Sequence, residues 1–263
     1  LFVPDEGKRL VEVDLSQADV RVVAYQAEEL SMIACMERGE DIHQLVADSL
    51  PKGFVPKGNE YLDVENPQRL FAKKHVHAFN YGEGPVLFAQ LANVSVAEGR
   101  VIRQAYFDRF PAIKRWQLNI QGQLGKSRIM VNPLGRKRIF YARWGDALFR
   151  EAYAYIPAST VADCLNQALI RFEAGRPEDE ILLQNHDAFA FQTTKERLEG
   201  EGGALDYLTE CFNIPLSIKG RVLRIPIKVK VGKNWDELTL SAKAIAIILA
   251  SPILCALNPT GKD

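Results

Sequence analysis

Residues 67–85 read PQRLFAKKHVHAFNYGEGP. Asn66 just before them is a good helix N-cap. Pro67 suits the first helical turn, where its missing N–H would have no partner anyway. Gly82, Gly84 and Pro85 punctuate the other end. Between these signals Arg69, Lys73, His77 and Tyr81 recur at steps of four. A step of four advances an α-helix by about 400°, so each side chain lies about 40° round from the last. The result is a slanting stripe of two cations, an imidazole and a phenol. Such a stripe could hold a triphosphate at its cationic end and a base at its ringed end. The same residues also fit a solvated basic face, a common fate of charge on an exposed helix. The rest of the chain has to decide.

The chain has 263 residues, enough for one large domain or two small ones with a sizeable core. Its apolar fraction of 47% and charged fraction of 25% are those of a soluble globular protein. Net charge is zero, so any nucleic-acid binding has to use local patches. Cys35, Cys164, Cys211 and Cys255 are scattered and form no CxxC pair, which argues against a zinc site and suits a reducing compartment. The chain starts LFVPDEG, which is no signal peptide. The apolar run at residues 244–257 is broken by Ser251 and Pro252 and is short of the roughly 20 residues a membrane span needs, so a packed terminal helix is expected there.

Outward from the stripe, residues 9–15 (RLVEVDL) alternate like a half-buried strand, with Val11, Val13 and Leu15 on one face and Asp14 near its end. Residues 17–36 turn helical, and 39–48 (GEDIHQLVAD) read as a turn into a helix carrying His43. Residues 51–66 read as a loop. Two or three helices follow through Gln123, then a short hairpin over 130–141 with Gly135 at its tight point, then a long helical stretch over 144–174. Residues 181–192 (ILLQNHDAFAFQ) read as a strand pair turning near Asn185-His186-Asp187. A helix over 196–212 and a strand over 223–231 complete the order. The pattern predicts an α+β fold, a small antiparallel sheet carrying a large helical insertion.

Asp14 ends one apolar strand, and Asp187 sits at a hairpin tip. Two carboxylates at strand ends are a usual way to hold Mg²⁺, a hard ion that keeps waters for substrate phosphates to replace. Each Asp also fits a plain turn residue. The histidines His43, His75, His77 and His186 have no zinc-helix spacing, and no GxxxxGK[ST] or GxSxG motif occurs.

Three segments together resemble the polymerase domain of family A DNA polymerases, with wording similar to phage-type members. Residues 14–21 (DLSQADVR) resemble the family's DYSQIELR, and GEDIH at 39–43 its G-x-DIH. Arg69, Lys73 and Tyr81-Gly82 match its R-x3-K-x7-YG, and His186-Asp187 the HD of its VHDE. YFDRFP (106–111), PLGRKR (133–138), STVAD (159–163) and GKNWDE (232–237) resemble its connecting segments, so the likeness covers roughly residues 1–240.

The resemblance implies a right-hand polymerase fold lacking its thumb. The palm would be residues 1–28 and 147–263, with the fingers at 29–146. It implies template-directed DNA synthesis, with a primer 3′-OH attacking the α-phosphate of a dNTP. Asp14, Asp187 and the backbone carbonyl of Leu15 would hold two Mg²⁺ ions, with Mn²⁺ as the substitute. His43, Arg69 and Lys73 would meet the triphosphate, and Lys73 would protonate the leaving pyrophosphate. His77 would face the sugar and base, Tyr81 the templating position, and Asp19 the ribose. Gln17, Arg150 and His186 would touch primer–template DNA. An upstream thumb and exonuclease region would lie on the same or a separate chain, and without the thumb the chain should grip DNA weakly. No membrane is implied. The compartment would be the cytoplasm, the host's if phage-encoded.

Several residues depart from the family pattern. Asp19 stands for the usual Glu, which puts strict sugar discrimination in question and leaves a single-subunit RNA polymerase as an alternative. His77 stands for Phe or Tyr. Ala188 replaces the acid after the third motif's Asp, and Ala154 and Ala158 replace polar residues that usually face the DNA minor groove. A non-catalytic DNA-binding remnant is the alternative of another class, against which the joint presence of Asp14, Asp187, Arg69 and Lys73 speaks.

Overall fold

In the first strand, β1 (Lys8–Leu15), Val11, Val13 and Leu15 are buried while Glu12 and Asp14 stay partly open. This is the alternation of a strand with one face on a core. The computed structural model describes residues 3–199 and 202–240. The terminal apolar run at 244–257 lies outside them.

The helices follow as α1 (Ala18–Ala27), α2 (Leu30–Glu37), α3 (Ile42–Ala47), α4 (Pro67–Asn80), α5 (Pro85–Leu91), α6 (Val96–Arg109) and α7 (Pro111–Lys126). A short 3₁₀ turn at Asn59–Tyr61 interrupts the loop before α4. The hairpin β2 (Ile129–Val131) and β3 (Lys137–Ile139) leads into α8 (Asp146–Gly175). Then come β4 (Glu180–Asn185), β5 (Ala188–Thr194), α9 (Lys195–Glu199), α10 (Ala204–Phe212), β6 (Leu216–Ile218), β7 (Arg221–Leu223), β8 (Ile227–Gly232) and β9 (Thr239–Leu240).

Two compact units form. One takes the described parts of residues 1–18, 160–217 and 222–263, and the other residues 19–159 and 218–221. The first is built on a five-stranded antiparallel sheet of order β4-β5-β1-β8-β9. Val11 pairs with Phe191 and Val13 with Phe189, so these four share a face. Phe172 of α8 covers it, its ring 5.6 Å from Phe189 and 4.8 Å from Phe191. The second unit is helical, around an aromatic core of Phe71, Phe79, Phe88, Tyr106 and Phe110. The fold is α+β, as the pattern predicts.

Three elements differ from the sequence reading. The helix expected over 17–36 is two, because Glu28 takes a left-handed φ of 56° and Glu29 turns inward. There the Glu29 carboxylate accepts from the Ala112 N–H at 3.0 Å, satisfying an orphan donor at the start of α7. The helix expected over 196–212 is also two, α9 and α10, with Gly203 as the cap of α10. The strand expected over 223–231 is divided: β7 ends at Leu223 and β8 begins at Ile227. Pro226 between them has no N–H for a ladder, and its carbonyl accepts instead from Ser16 N–H at 2.7 Å.

Candidate active site

The end of the central strand β1, in the first unit, gathers five of the expected residues. Asp14 pairs with Ala188 across β1 and β5, and Ala188 also pairs with Asn185 across the β4–β5 hairpin. The two-residue turn His186-Asp187 therefore lies at the end of β1. Its position is pinned by a hydrogen bond from Leu15 N–H to the Asp187 carbonyl at 3.0 Å. Gln17 and His186 hold left-handed φ angles of 55° and 53°. Such conformations in non-glycine residues each cost about 1–3 kcal/mol and persist where surrounding structure fixes them.

Burial, and then the charge of Asp187, push the Asp14 carboxyl up to about 6. Lys228 lies opposite Asp14 on β8 and pulls the other way. Along the same face Lys230 reaches Glu12 at 3.3 Å. Two carboxylates at one strand end, with Lys228 opposite one of them, form a pair of oxygen donors. Among the described residues no group of three or more His, Cys, Asp or Glu could hold a metal ion.

The second unit presents the stripe. Asn66 caps α4, its side chain accepting from Arg69 N–H, with Pro67 in the first turn. Phe71, His75 and Phe79 recur at steps of four on the other side and are buried. The His75 ring sits 4.4 Å from Phe71 and 5.4 Å from Phe88, so this histidine is a core residue. With that face committed inward, Lys73 is exposed and Arg69, His77 and Tyr81 are half-buried.

Arg69 Nε pairs with Asp41, a residue the sequence reading did not single out. Asp41 is the N-cap of α3 and accepts from His43 N–H at 3.0 Å, so it ties α3 to α4. Burial raises the Asp41 carboxyl, but the bonds from Arg69 and the His43 amide outweigh it and hold it below its ordinary value. His43 is pushed down to about 4 by burial, with Arg69, Lys73 and His77 adding to the fall. It is therefore a neutral imidazole among cations. His77 and Tyr81 have ring centroids 5.6 Å apart. Burial first, and Asp19 second, push the Tyr81 phenol upward.

Gly82 follows with φ +73°, and a Cβ there would lie 2.7 Å from the Tyr153 ring, so only glycine fits. Arg150 is exposed on the first half of α8, and Glu83 feels its charge. Asp41 had a legible signal in GEDIH, since Asp before a helix is a cap, but its bond to Arg69 needs the fold. Lys228 had one too, in the alternation IKVKV.

A carboxylate pair on a strand edge and a cationic helix ending in rings are parts suited to handling nucleoside phosphates. The family comparison makes this specific: the chain belongs to DNA polymerase family A, whose model matches residues 1–237. It is 28% identical over 250 residues to DNA polymerase I of Chloroflexus aurantiacus, covering 90% of this chain and 25% of that protein. It is 28% identical to the thermostable DNA polymerase I of Thermus thermophilus, covering 90% and 28%. Against DNA polymerase I of Aquifex aeolicus the identity is 25%, covering 90% and 41%. The chain thus spans well under half the length of these relatives. Its fold is similar to the polymerase domain of Pol1 from M. smegmatis, solved with DNA primer–template and dNTP. That TM-score is 0.73 at 24% identity, covering 89% of this chain and 41% of that one. No helix among the described residues is long and apolar enough to cross a membrane.

Proposed function

We propose that this chain carries the palm and fingers of a template-directed DNA polymerase, adding dNTPs to a primer 3′-OH. The palm is residues 1–28 and 147–263 and the fingers 29–146. The observation that carries the reading is the register that lays the Asp187 turn against Asp14 at the end of the central strand β1. Family membership and the cationic stripe on α4 support it.

Asp14, Asp187 and the Leu15 carbonyl are hard oxygen donors. Burial first, and the charge of Asp187 second, hold Asp14 up; a divalent cation offsets both, so the set fits Mg²⁺, or Mn²⁺ in its place. Such ions supply activation of the attacking hydroxyl and charge stabilisation at the leaving oxygen. The chain's own residues do the rest. Arg69 and Lys73 bind the triphosphate, and neutral His43 donates to it without adding charge. Lys73 Nζ delivers a proton to the departing pyrophosphate. His77 packs on the nucleotide. Tyr81 holds the templating position, and Asp19 beside it limits the room at the ribose 2′ carbon. Gln17, Arg150 and His186 meet primer–template DNA, the kind of ligand held by the similar M. smegmatis structure. Most of the catalysis is then positioning and electrostatics, as in phosphoryl transfer generally.

Primer extension with Mg²⁺ and dNTPs tests this, using the parent beside Asp14→Ala and Asp187→Ala. The expected result is extension by the parent and by neither variant. Extension surviving both substitutions overturns the carboxylate assignment. A parent that binds the duplex but never extends it is a DNA-binding remnant.

A further inference from the structure

The buried face of α7 is apolar at Ala112, Ile113, Trp116, Ile120 and Leu124, except for Gln117. Gln117 is 1% exposed. A primary amide is costly in such a place unless its hydrogens are used. Here both go to main-chain carbonyls of α4, Phe79 at 2.8 Å and Asn80 at 3.0 Å. These belong to the last turn of the helix, where carbonyls lack a full set of intrahelical partners. Asn80 is itself fully buried, and its side-chain oxygen accepts from the Tyr106 phenol of α6 at 2.6 Å. One turn along α7, Gln121 donates to the Tyr153 hydroxyl at 2.6 Å. The ring edge of Tyr153 fills the space beside Gly82. The turn that presents Tyr81 is thus gripped from α6, α7 and α8. At its other end the stripe is held by the Asn66 cap, whose side chain accepts from Arg69 N–H at 3.0 Å.

We propose that Gln117 is a positioning residue. It latches the last turn of α4, with Tyr106–Asn80 and Gln121–Tyr153 on either side, so that the Tyr81 ring keeps one place and the chain rejects mismatched nucleotides. The selection half of this rests on the polymerase reading above; the latch does not.

The test compares the parent with Gln117→Met, which keeps length and removes the donor, and with Tyr106→Phe, which removes one hydroxyl and keeps the ring. Two readouts are taken. The first is hydrogen exchange at Tyr81, Gly82 and Glu83, whose amides close this turn onto His77, Phe79 and Ala78, with residues 73–76 as internal reference. The second is the ratio of kcat/KM for the matched dNTP to that for a mismatched one.

The expected result is exchange about tenfold faster at 81–83 with the reference unchanged, and selectivity lower by about tenfold, the size of one buried hydrogen bond. Matched-nucleotide KM should move less than kcat. Unchanged exchange in both variants overturns the latch. Faster exchange with unchanged selectivity overturns the positioning role. Faster exchange at 73–76 as well shows general loosening and also overturns it. A parent that incorporates nothing overturns the polymerase reading and the selection half together, while the exchange comparison still decides the latch. If Gln117→Met does not fold, Tyr106→Phe carries both readouts.

Discussion

Asp14 and the stripe on α4 reach their places by different means. Asp14 is set beside the Asp187 turn by hydrogen-bond register between strands far apart in the chain. A slip of one residue would turn it to the core face. The stripe is set by local periodicity and by its backing, because Phe71, His75 and Phe79 commit the opposite side of α4 inward. Their charges differ as well. At the end of β1, burial and then the charge of Asp187 raise Asp14 to about 6. On α4 part of the cationic charge is already answered by Asp41. Both keep charge for a ligand, the carboxylates at the end of β1 and the exposed Lys73 on α4. The stripe is a prebuilt surface whose shape the core guarantees.

The largest test of that contrast lies at the acid pair. Asp14→Asn and Asp187→Asn should each lower kcat by about 10³-fold or more, and the double variant should be little worse than either, because residues acting as a unit are not additive. Extension kinetics on one primer–template decide it. Losses that multiply in the double variant would mean two independent roles. Neither variant should unfold the protein, since removing one charge relieves repulsion at the end of β1.

How far the sequence reveals each region follows from the same contrast. The stripe, its Asn66 cap and its glycine stop are legible because helix signals act within a few residues. The juxtaposition of Asp14 with the Asp187 turn is only half legible: their strand-end positions suggest a carboxylate pair and equally two turn residues, since neither strand encodes its partner, and the resemblance to a polymerase family tips the choice. His75 shows what local pattern omits. It looks like His77 by residue type, and its place between Phe71 and Phe79 at steps of four, with Phe88 packed against it from α5, makes it a core residue. The missed breaks at Glu28 and Pro226 have the same origin. Glu29 turns inward to reach Ala112, and Pro226 is placed by its carbonyl bond to Ser16, both long-range contacts.

Next in size is Gly82→Ala. The left-handed φ alone costs an alanine about 1 kcal/mol, and displacing the Tyr153 ring adds to it, for roughly 2–4 kcal/mol in all. Urea unfolding would read this as a lower midpoint at unchanged m. A stable alanine variant would mean that Tyr153 yields easily, and the shape of the stripe's end would then be less fixed than its contacts imply. Adjacent lysines sharpen the point further. Lys73 lies on the stripe, whereas Lys74 sits 5.1 Å over the Tyr61 ring and 3.4 Å from Glu60. Lys73→Ala should cost about 10²-fold in kcat, the lower range for a lost proton donor. Lys74→Ala should change kcat less than about twofold, as exposed ion pairs are worth little. Equal effects would return the stripe to a solvated basic face.

The smallest effect separates the two sides of α4 by pH. Burial, with Lys74 adding to it and Glu60 opposing, lowers His75 from 6.5 to about 4. Between those values the unfolded chain binds a proton that the folded chain refuses. Stability from this residue is therefore complete above 6.5 and is lost as pH falls toward 4. With solvent screening allowed for, the loss is about 1–2 kcal/mol, or roughly 3–6 °C in Tm for a protein of this size. His75→Phe keeps a ring against Phe71 and Phe88 and removes the titration. The two Tm curves should run close at pH 7.5 and diverge by pH 5, with the variant the more stable. His43 has the same direction of shift and stays in both proteins, so the difference isolates His75. Parallel curves across that range would mean that His75 takes up its proton within the fold. The inward face of α4 would then be open to water, and the backing that sets the stripe would be weaker than its aromatic contacts indicate.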